Sequence, residues 1–258
     1  MELKSEMDIR IGIDIGSTAT KVAIFYGEEL ERVFSVPSGW SSVETSEKIK
    51  KDLESEGYNF EHCKVTATGY GRVSVPYANK TVTEITCHSK GVQYITKNKD
   101  FTIIDIGGQD TKIIEVSCGN VENFIMNDKC SAGTGRFIEV MSNILGVKLD
   151  ELYGLAKQGE KVEISSMCTV FAESEIISLM GKGTAKENIA CGIIDSVVNK
   201  VAGLASRSKL TEEYFLSGGL CASPYFLEEL SKKLGSKVST HELGRYAGAI
   251  GAALMQKI

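Results

Sequence analysis

The 258-residue sequence lacks several features that would each point to a particular class of protein. No uninterrupted apolar run approaches the roughly 20 residues needed to cross a bilayer, and Met1–Arg10 has no apolar core of a signal peptide. We therefore expect a cytoplasmic protein that does not span a membrane. Basic residues are outnumbered by acidic ones, 29 to 34, and the net charge of −5 argues against nucleic acid as a partner.

The cysteines also lack a familiar arrangement. Seven are present, but no two form the CxxC pairs that are typical of zinc sites, and a reducing cytosol disfavours structural disulfides. Cys130 precedes a Gly-Thr-Gly turn at residues 133–135 and Cys168 precedes an apolar segment, so both are expected at the start of a helix. The helix dipole there favours thiolate, the form that binds iron. An iron–sulfur ligand, an inert thiol and a zinc ligand all remain open interpretations from the residues alone.

Short apolar segments that alternate with longer amphipathic ones predict an α/β protein. Turn residues and caps bound these segments, and no low-complexity stretch interrupts them. The predicted strands are 10–16, 20–26, 31–36, 64–69, 101–107 and 213–219, and the predicted helices are 42–56, 83–97, 135–145, 170–180, 186–208, 224–234 and 246–257.

An internal repeat organises the chain. The segment DIGSTATK, Asp14–Lys21, aligns without a gap with DIGGQDTK, Asp105–Lys112, and five of the eight positions are identical. In each copy an apolar strand comes before the motif, and a second strand, a glycine-containing turn and a third strand come after it. The repeat therefore predicts two related halves, each of which opens with a three-stranded meander.

The repeated turn has the composition of a phosphate-binding turn. Its glycines and free backbone N–H groups allow phosphate oxygens to approach closely, and aspartates that end two strands suit Mg²⁺, which keeps several of its waters. We predict Asp14 and Asp105 as catalytic residues, with Gln109 orienting the attacking water. Lys21 is either a phosphate contact or a surface residue. The predicted ATP-binding residues are Gly16, Ser17, Thr18 and Lys21 in the first turn, Gly107 and Gly108 in the second, and Gly218 and Gly219 in a later turn that would hold the nucleoside.

These motifs resemble those of the superfamily that contains acetate and sugar kinases, heat-shock 70 proteins and actin. The resemblance implies an α/β protein of two ribonuclease-H-like halves, the actin-like ATPase fold, with an ATP cleft between them. It also implies a first half of residues 1–85 plus 245–258 and a second half of residues 86–244, because the last helix of that fold returns to the first half.

Longer strings resemble a narrower family. Its members are the activator ATPases of 2-hydroxyacyl-CoA dehydratases, the benzoyl-CoA reductase ATPase subunits and the reductases of double-cubane cluster proteins. The strings are NDKCSAGTGRF (127–137), SSMCTVFAESE (165–175), AGAIGAA (247–253), TGYGR (68–72) and TEITCH (83–88).

The family resemblance implies a redox function. Cys130 and Cys168 from each of two copies would bind one [4Fe–4S] cluster that bridges a homodimer. ATP hydrolysis would drive a low-potential electron from that cluster to an iron–sulfur partner, which is a dehydratase or a double-cubane protein. Ferredoxin or flavodoxin would supply the electron.

Two other functions are compatible with the superfamily. A small-molecule kinase needs a substrate-base aspartate that the sequence does not identify, and a nucleotide-dependent binding module leaves both thiols without a role. Gly133, Thr134 and Gly135 either contact the nucleotide and link it to Cys130 or serve only as a helix start. The other cysteines, Cys63, Cys87, Cys118, Cys191 and Cys221, are expected to be packed or surface thiols.

Overall fold

A computed structural model describes residues 8–165, 168–208 and 213–256. They form two compact units. The first contains residues up to Lys99, residues 116–121 and residues from Leu243 onward, and the second contains 100–115 and 122–242. The boundaries that the superfamily implies, at 85/86 and 244/245, stay a prediction. Ser166 and Met167, within the SSMCTVFAESE string, lie outside the described residues.

The first unit is built on a five-stranded mixed sheet. Its strands are β1 (Ile9–Ile15), β2 (Ala19–Tyr26), β3 (Glu29–Pro37), β4 (Cys63–Thr68) and β5 (Lys80–Thr81), in the spatial order β3-β2-β1-β4-β5. The central strand β1 pairs antiparallel with β2 and parallel with β4. All seven residues of β1 are buried, as expected for an apolar run that is covered on both faces of a sheet.

The α-helices in the described part of the first unit are α1 (Ser42–Ser55), α2 (Glu84–Thr96) and α8 (Ala247–Leu254). The N-cap of α1 is Ser41, whose hydroxyl accepts a hydrogen bond from the Glu44 N–H. The last helix packs closely on β1 and α2. A Cβ on Gly12 would overlap the Ala249 carbonyl, and a Cβ on Gly251 would overlap the Cys87 carbonyl. The small residues of AGAIGAA therefore allow backbone to approach backbone.

The second unit contains a sheet with the same connectivity. Its strands are β6 (Phe101–Ile106), β7 (Thr111–Ser117), β8 (Asn120–Asn127), β9 (Tyr214–Gly218) and β10 (Val238–Ser239), in the order β10-β9-β6-β7-β8. In both sheets the first three strands lie side by side in chain order. The fourth strand then pairs with the free edge of the first strand, and the fifth pairs with the fourth. The predicted repeat of three-stranded meanders is thus confirmed.

The helices of the second unit are α3 (Gly135–Ile144), α4 (Leu149–Gln158), α5 (Thr169–Gly181), α6 (Lys186–Ala205) and α7 (Pro224–Leu234). The longest, α6, lies in the core, where Ile193, Ile194 and Val197 are buried. It is the one described helix that is long and apolar enough to cross a membrane by length and composition. However, 67% of its apolar stretch is buried inside the protein, which is the environment of a core helix.

The predicted strands and helices are confirmed, with differences at their ends. The helix predicted to reach residue 208 ends at Ala205, and the last helix ends at Leu254 and not at residue 257. Three elements were not predicted. Helix α4 follows Lys148, which does not cap it with a side-chain hydrogen bond, and β5 and β10 have only two residues each.

Candidate functional site

The first repeated turn places a carboxylate and an ammonium group side by side. Asp14, near the end of β1, is opposite Lys21 on β2 and is 6% exposed. The Lys21 Nζ lies 3.9 Å from the Asp14 Oδ2. Between them Ser17 and Thr18 are exposed, and the Gly16 carbonyl accepts a 2.6 Å hydrogen bond from the Ser38 hydroxyl. The hydrogen bond to Gly16 therefore fixes the turn, while Ser17 and Thr18 remain accessible to solvent, as an anion-binding turn requires.

Glycines surround the Asp14 carboxylate. A Cβ on Gly69 would lie 2.6 Å from Asp14 Oδ1, and a Cβ on Gly248 would lie 2.7 Å from Asp14 Oδ2 and 3.0 Å from His88 Nε2. Gly69 also has a φ of +84°, which favours glycine. Neither glycine was predicted as a site residue. The motif TGYGR contains one and AGAIGAA the other, but only the fold brings both to Asp14.

The second repeated turn is more extensively charged. Asp105 is 3% exposed, and its Oδ1 accepts a 2.7 Å hydrogen bond from the Ser217 hydroxyl. The Lys112 Nζ lies 3.6 Å from Asp105 Oδ2 and 2.7 Å from Asp110 Oδ2. The turn is closed by a hydrogen bond from the Gly107 N–H to the Asp110 carbonyl, and Gln109 is exposed at its tip. Sequence reasoning missed Asp110, Lys112 and Ser217, although the repeat already aligned Lys112 with Lys21.

The later glycine turn lies beside the second repeated turn. In the parallel pairing of β6 and β9, Asp105 is opposite Ser217 and Ile106 is opposite Gly218. Gly218 has a φ of +87° and a ψ of −166°, a conformation that is nearly exclusive to glycine. Gly219 has open space where a side chain would be. The structure thus brings Asp105, Gly107, Gly108, Gly218 and Gly219 to neighbouring strand ends.

The Gly-Thr-Gly segment is hydrogen-bonded to the second repeated turn. The Gly135 N–H donates to the Gly107 carbonyl at 2.9 Å, and the Arg136 N–H donates to the Gly108 carbonyl at 3.0 Å. The Gly133 carbonyl accepts from the Thr111 hydroxyl at 2.7 Å, while Thr134 is buried and its hydroxyl donates to the Ser131 carbonyl. Hydrogen bonds therefore join the segment that carries Cys130 to the turn that carries Asp105.

The two cysteines of interest lie on neighbouring loops. The Ser131 and Thr169 hydroxyls, each next to a cysteine in sequence, are 2.6 Å apart, and both Cys130 and Cys168 are exposed. Cys168 is the N-cap residue of α5, as predicted. Cys130 is not at a helix start, because the N-cap of α3 is Thr134. Its carbonyl instead accepts a hydrogen bond from the Asn127 side chain at 2.9 Å.

The remaining cysteines are in different surroundings. Cys63, Cys87, Cys191 and Cys221 are buried, and Cys118 is exposed in the turn between β7 and β8. Burial raises the pKa of Cys63 to about 11 and that of Cys87 to about 12. These two thiols are protonated at neutral pH, so they are poor metal ligands.

The exposed thiol pair fits half of an iron–sulfur cluster. A cubane cluster is held by four thiolates, and the loops of Cys130 and Cys168 supply two. Within the described residues no group of three or more histidine, cysteine or acidic side chains could hold a metal ion. These two loops would therefore supply two of the four thiolates.

Several apolar side chains are exposed on the elements that adjoin the two cysteines. On α5, which begins next to Cys168, Val170, Phe171 and Ile177 are more than half exposed. On β8, which ends close to Cys130, Phe124 and Met126 are exposed. A cavity of about 480 Å³ also adjoins Cys130 and is lined by Gly133, Lys200 and Arg207, among others. Exposed apolar residues of this kind are typical of protein interfaces.

Residues 11–256 match the model of the BadF/BadG/BcrA/BcrD ATPase family. The chain is 45% identical to the (R)-2-hydroxyglutaryl-CoA dehydratase activating ATPase of Acidaminococcus fermentans, over 95% of each chain. It is 38% identical to the 2-hydroxyisocaproyl-CoA dehydratase activator of Clostridioides difficile, over 95% of this chain and 93% of the other.

Solved structures agree with these relatives. Component A of the A. fermentans dehydratase gives a TM-score of 0.89 at 43% identity and covers 96% of this chain and 97% of its own. The C. difficile activator with bound ADPNP gives 0.88 at 37% identity, covering 96% and 93%. A Streptomyces griseus ROK family glucokinase, at 15% identity, shares the fold with a TM-score of 0.62, covering 96% and 98%. The predicted actin-like ATPase fold is confirmed.

Proposed function

The chain belongs to the BadF/BadG/BcrA/BcrD ATPase family, and from that premise we propose that it is an ATP-driven reductase of an iron–sulfur partner enzyme. It would use ATP hydrolysis to pass single electrons, at low potential, from a [4Fe–4S] cluster to that partner. The observation that carries the proposal is that the Ser131–Thr169 hydrogen bond holds the loops of Cys130 and Cys168 together. The loop of Cys130 is in turn hydrogen-bonded to the turn that carries Asp105.

The repeated turns bind ATP in this proposal. Gly16, Ser17, Thr18 and Lys21 of the first turn and Gly107 and Gly108 of the second turn would contact the phosphates. Asp14 and Asp105 would hold the waters of Mg²⁺, which when bound neutralises phosphate charge. The exposed Gln109 would orient the attacking water, and Gly218 and Gly219 would approach the nucleoside. Burial of both aspartates at strand ends supports these roles.

The thiol pair binds the cluster in a homodimer. Cys130 and Cys168 of each chain would contribute two thiolates each, so that two copies complete the set of four. The cluster, when bound, supplies one-electron redox chemistry. The exposed apolar residues of α5 and β8 support an interface at this surface, because burying them on association is favourable.

Nucleotide state would reach the thiols through the Gly-Thr-Gly segment. Gly133, Thr134 and Gly135 lie between Cys130 and the second repeated turn, and two backbone hydrogen bonds join that segment to Gly107 and Gly108. A movement of the turn when the γ-phosphate is lost would therefore move the loop of Cys130. Differential contacts of this kind are what couples two sites.

The names of the relatives support a choice of acceptor. Two of them are named for dehydratases of (R)-2-hydroxyglutaryl-CoA and 2-hydroxyisocaproyl-CoA, so a 2-hydroxyacyl-CoA dehydratase is the proposed partner, with a double-cubane protein as the second possibility. Ferredoxin or flavodoxin would reduce the cluster.

A kinase or a binding module would leave the exposed thiol pair without a role.

Iron analysis of anaerobically purified protein tests the proposal. The wild type should be brown, with about four irons per dimer. Cys130→Ser and Cys168→Ser should each lose most of this iron and still bind ATP, because the nucleotide turns keep their contacts. Cys118→Ser, at an exposed cysteine outside the pair, is the matched control and should keep its iron. Full iron content in either site variant would contradict the ligand assignment, and a wild type that stays colourless after reconstitution would contradict the function.

A further inference from the structure

In both repeated turns, a hydrogen bond holds the carbonyl of the glycine that follows Asp-Ile. Gly16 and Gly107 occupy equivalent positions in the repeat. The Gly16 carbonyl accepts a 2.6 Å hydrogen bond from the Ser38 hydroxyl. The Gly107 carbonyl accepts a 2.9 Å hydrogen bond from the Gly135 N–H. The donor is a side chain in the first half and a helix start in the second, but the carbonyl that it holds is the same.

A threonine that is identical in the two repeats fastens the segment that supplies each donor. Thr20 and Thr111 are aligned, and both are buried. The Thr20 and Ser38 hydroxyl oxygens are 3.0 Å apart. Because Ser38 gives its one hydroxyl hydrogen to Gly16, Thr20 is the donor to Ser38. In the second half, the Thr111 hydroxyl donates to the Gly133 carbonyl at 2.7 Å, within the segment that holds the second turn. The two halves therefore support their turns in the same way.

The planar peptide bond determines how this hydrogen bond orients the first turn. The carbonyl of Gly16 and the N–H of Ser17 belong to one peptide group and point in opposite directions. Because the carbonyl faces the buried Ser38, the N–H of the exposed Ser17 points away from Ser38. The reverse orientation would present the negative end of the carbonyl dipole to a phosphate. The Ser38 hydrogen bond therefore selects the peptide orientation that suits an anion.

Ser38 is itself fixed by its surroundings. It directly follows β3 and is 4% exposed. Its N–H donates to the Thr18 carbonyl at 3.1 Å, and its carbonyl accepts from the Thr45 hydroxyl, near the start of α1, at 2.7 Å. Rotation of Ser38 away from Gly16 would break these contacts as well. The orientation of the turn is thus built into the fold, and a preorganised donor costs little ordering entropy when a ligand binds.

We propose that Ser38 is a positioning residue that aims the Ser17 N–H at a phosphate oxygen of ATP. A Cβ on Gly16 would lie 3.3 Å from the Lys21 Nζ, so a charged donor lies next to the oriented peptide group. Ser38 acts through the turn and not by contact with the nucleotide. This inference rests on the proposed ATP site, and it adds a residue from outside the repeated motif to that site.

Ser38→Ala tests the inference, because it releases the Gly16 carbonyl. Isothermal titration of anaerobically purified protein with ADPNP and Mg²⁺ should show binding that is about tenfold weaker, which is the effect of losing one hydrogen bond to a charged group. Ser38→Cys should weaken binding in the same way, because a thiol is a weak donor. This second variant is nearly isosteric with serine and guards against misfolding of the alanine variant.

Thr45→Val is the matched control. It removes a hydroxyl that bonds to the Ser38 carbonyl, but it leaves the hydrogen bond to Gly16, so the affinity for ADPNP should stay within about twofold of the wild-type value. The Ser17 amide signal in NMR spectra of ¹⁵N-labelled protein reports the orientation directly. Saturating ADPNP should shift its proton resonance downfield in the wild type and in Thr45→Val, and much less in Ser38→Ala.

Three results would overturn the inference. They are wild-type affinity for ADPNP in both Ser38 variants, a loss of affinity in Thr45→Val as large as theirs, and an unchanged shift of the Ser17 signal in Ser38→Ala. With a wild type that binds ADPNP, each of these results removes only the role of Ser38. A wild type that does not bind ADPNP would overturn the proposed function as well.

Discussion

At the scale of single residues, the candidate site combines groups that sequence reasoning can identify with groups that it cannot. Asp14 and Asp105 stand in a visible repeat, so their shared chemistry is predictable. Gly248, which adjoins the Asp14 carboxylate, is more than 200 residues from it in sequence. A contact between residues that are distant in sequence leaves no local sequence pattern. Gly248 therefore cannot be distinguished from other helical glycines until the packing of α8 on β1 is known.

The cysteines give a prediction at this scale, because their environments differ so strongly. In cluster-free protein, iodoacetamide at pH 8 should modify the exposed Cys130, Cys168 and Cys118. Cys63 and Cys87 should stay unmodified, because they are buried and their pKa values are raised to about 11 and about 12. Their thiolate fraction at pH 8 is then on the order of 0.1% or less.

Peptide mass spectrometry measures the modification. Unfolding in urea provides the control, since the pKa of an unfolded cysteine returns to about 8.5 and all seven cysteines should then react. Rapid modification of Cys87 in the folded protein would contradict the buried environment described for it.

At the scale of helices and strands, prediction succeeded where the sequence has capping and periodicity. Helix α1 has Ser41 as its N-cap, and α7 has both Ser223 as N-cap and a proline in its first turn, so their limits are readable. Helix α4 has Lys148 before it and Gly154 inside it, and neither is a helix signal. It forms because Leu152 and Ala156 are buried in the core of the second unit, a tertiary contact that overrides local preference.

Close packing of α8 gives a prediction at this scale. Gly251→Ala should lower the free energy of unfolding by about 1–3 kcal/mol, because its new Cβ would overlap the Cys87 carbonyl on α2. Gly154→Ala is the matched control. It has open space around it on α4, so the same substitution should stabilise the protein by about 0.5–1 kcal/mol.

Urea unfolding of the two variants, followed by circular dichroism, distinguishes these outcomes. The two variants differ in the expected sign of the change in the free energy of unfolding, although both changes add one methyl group to a helix. If Gly251→Ala were as stable as the wild type, α8 and α2 could not be in the close backbone contact that the structure shows.

At the scale of the whole molecule, the proposed cluster site is incomplete in one chain. The Cys130 and Cys168 loops supply two thiols, whereas a cubane takes four. In the proposed function, cluster binding and dimerisation are linked, because a ligand that binds only the dimer stabilises it by mass action. Removing iron with a chelator should therefore weaken self-association, and analytical ultracentrifugation over a range of protein concentrations measures the change. The cluster-loaded protein should stay dimeric at concentrations where the stripped protein dissociates.

The exposed apolar residues of α5 and β8 allow a second arm of this experiment. Val170 and Phe171 lie next to Cys168 in sequence and are 67% and 68% exposed, so polar substitution there should not unfold a single chain. Phe171→Ser should nevertheless weaken the dimer and, through the same linkage, lower the iron retained at a given protein concentration. Trp40→Ser, at a side chain that is 91% exposed in the first unit, is the control and should change neither quantity. A dimer dissociation constant that is the same with and without iron would contradict a cluster shared between two chains, whatever the iron content of the protein.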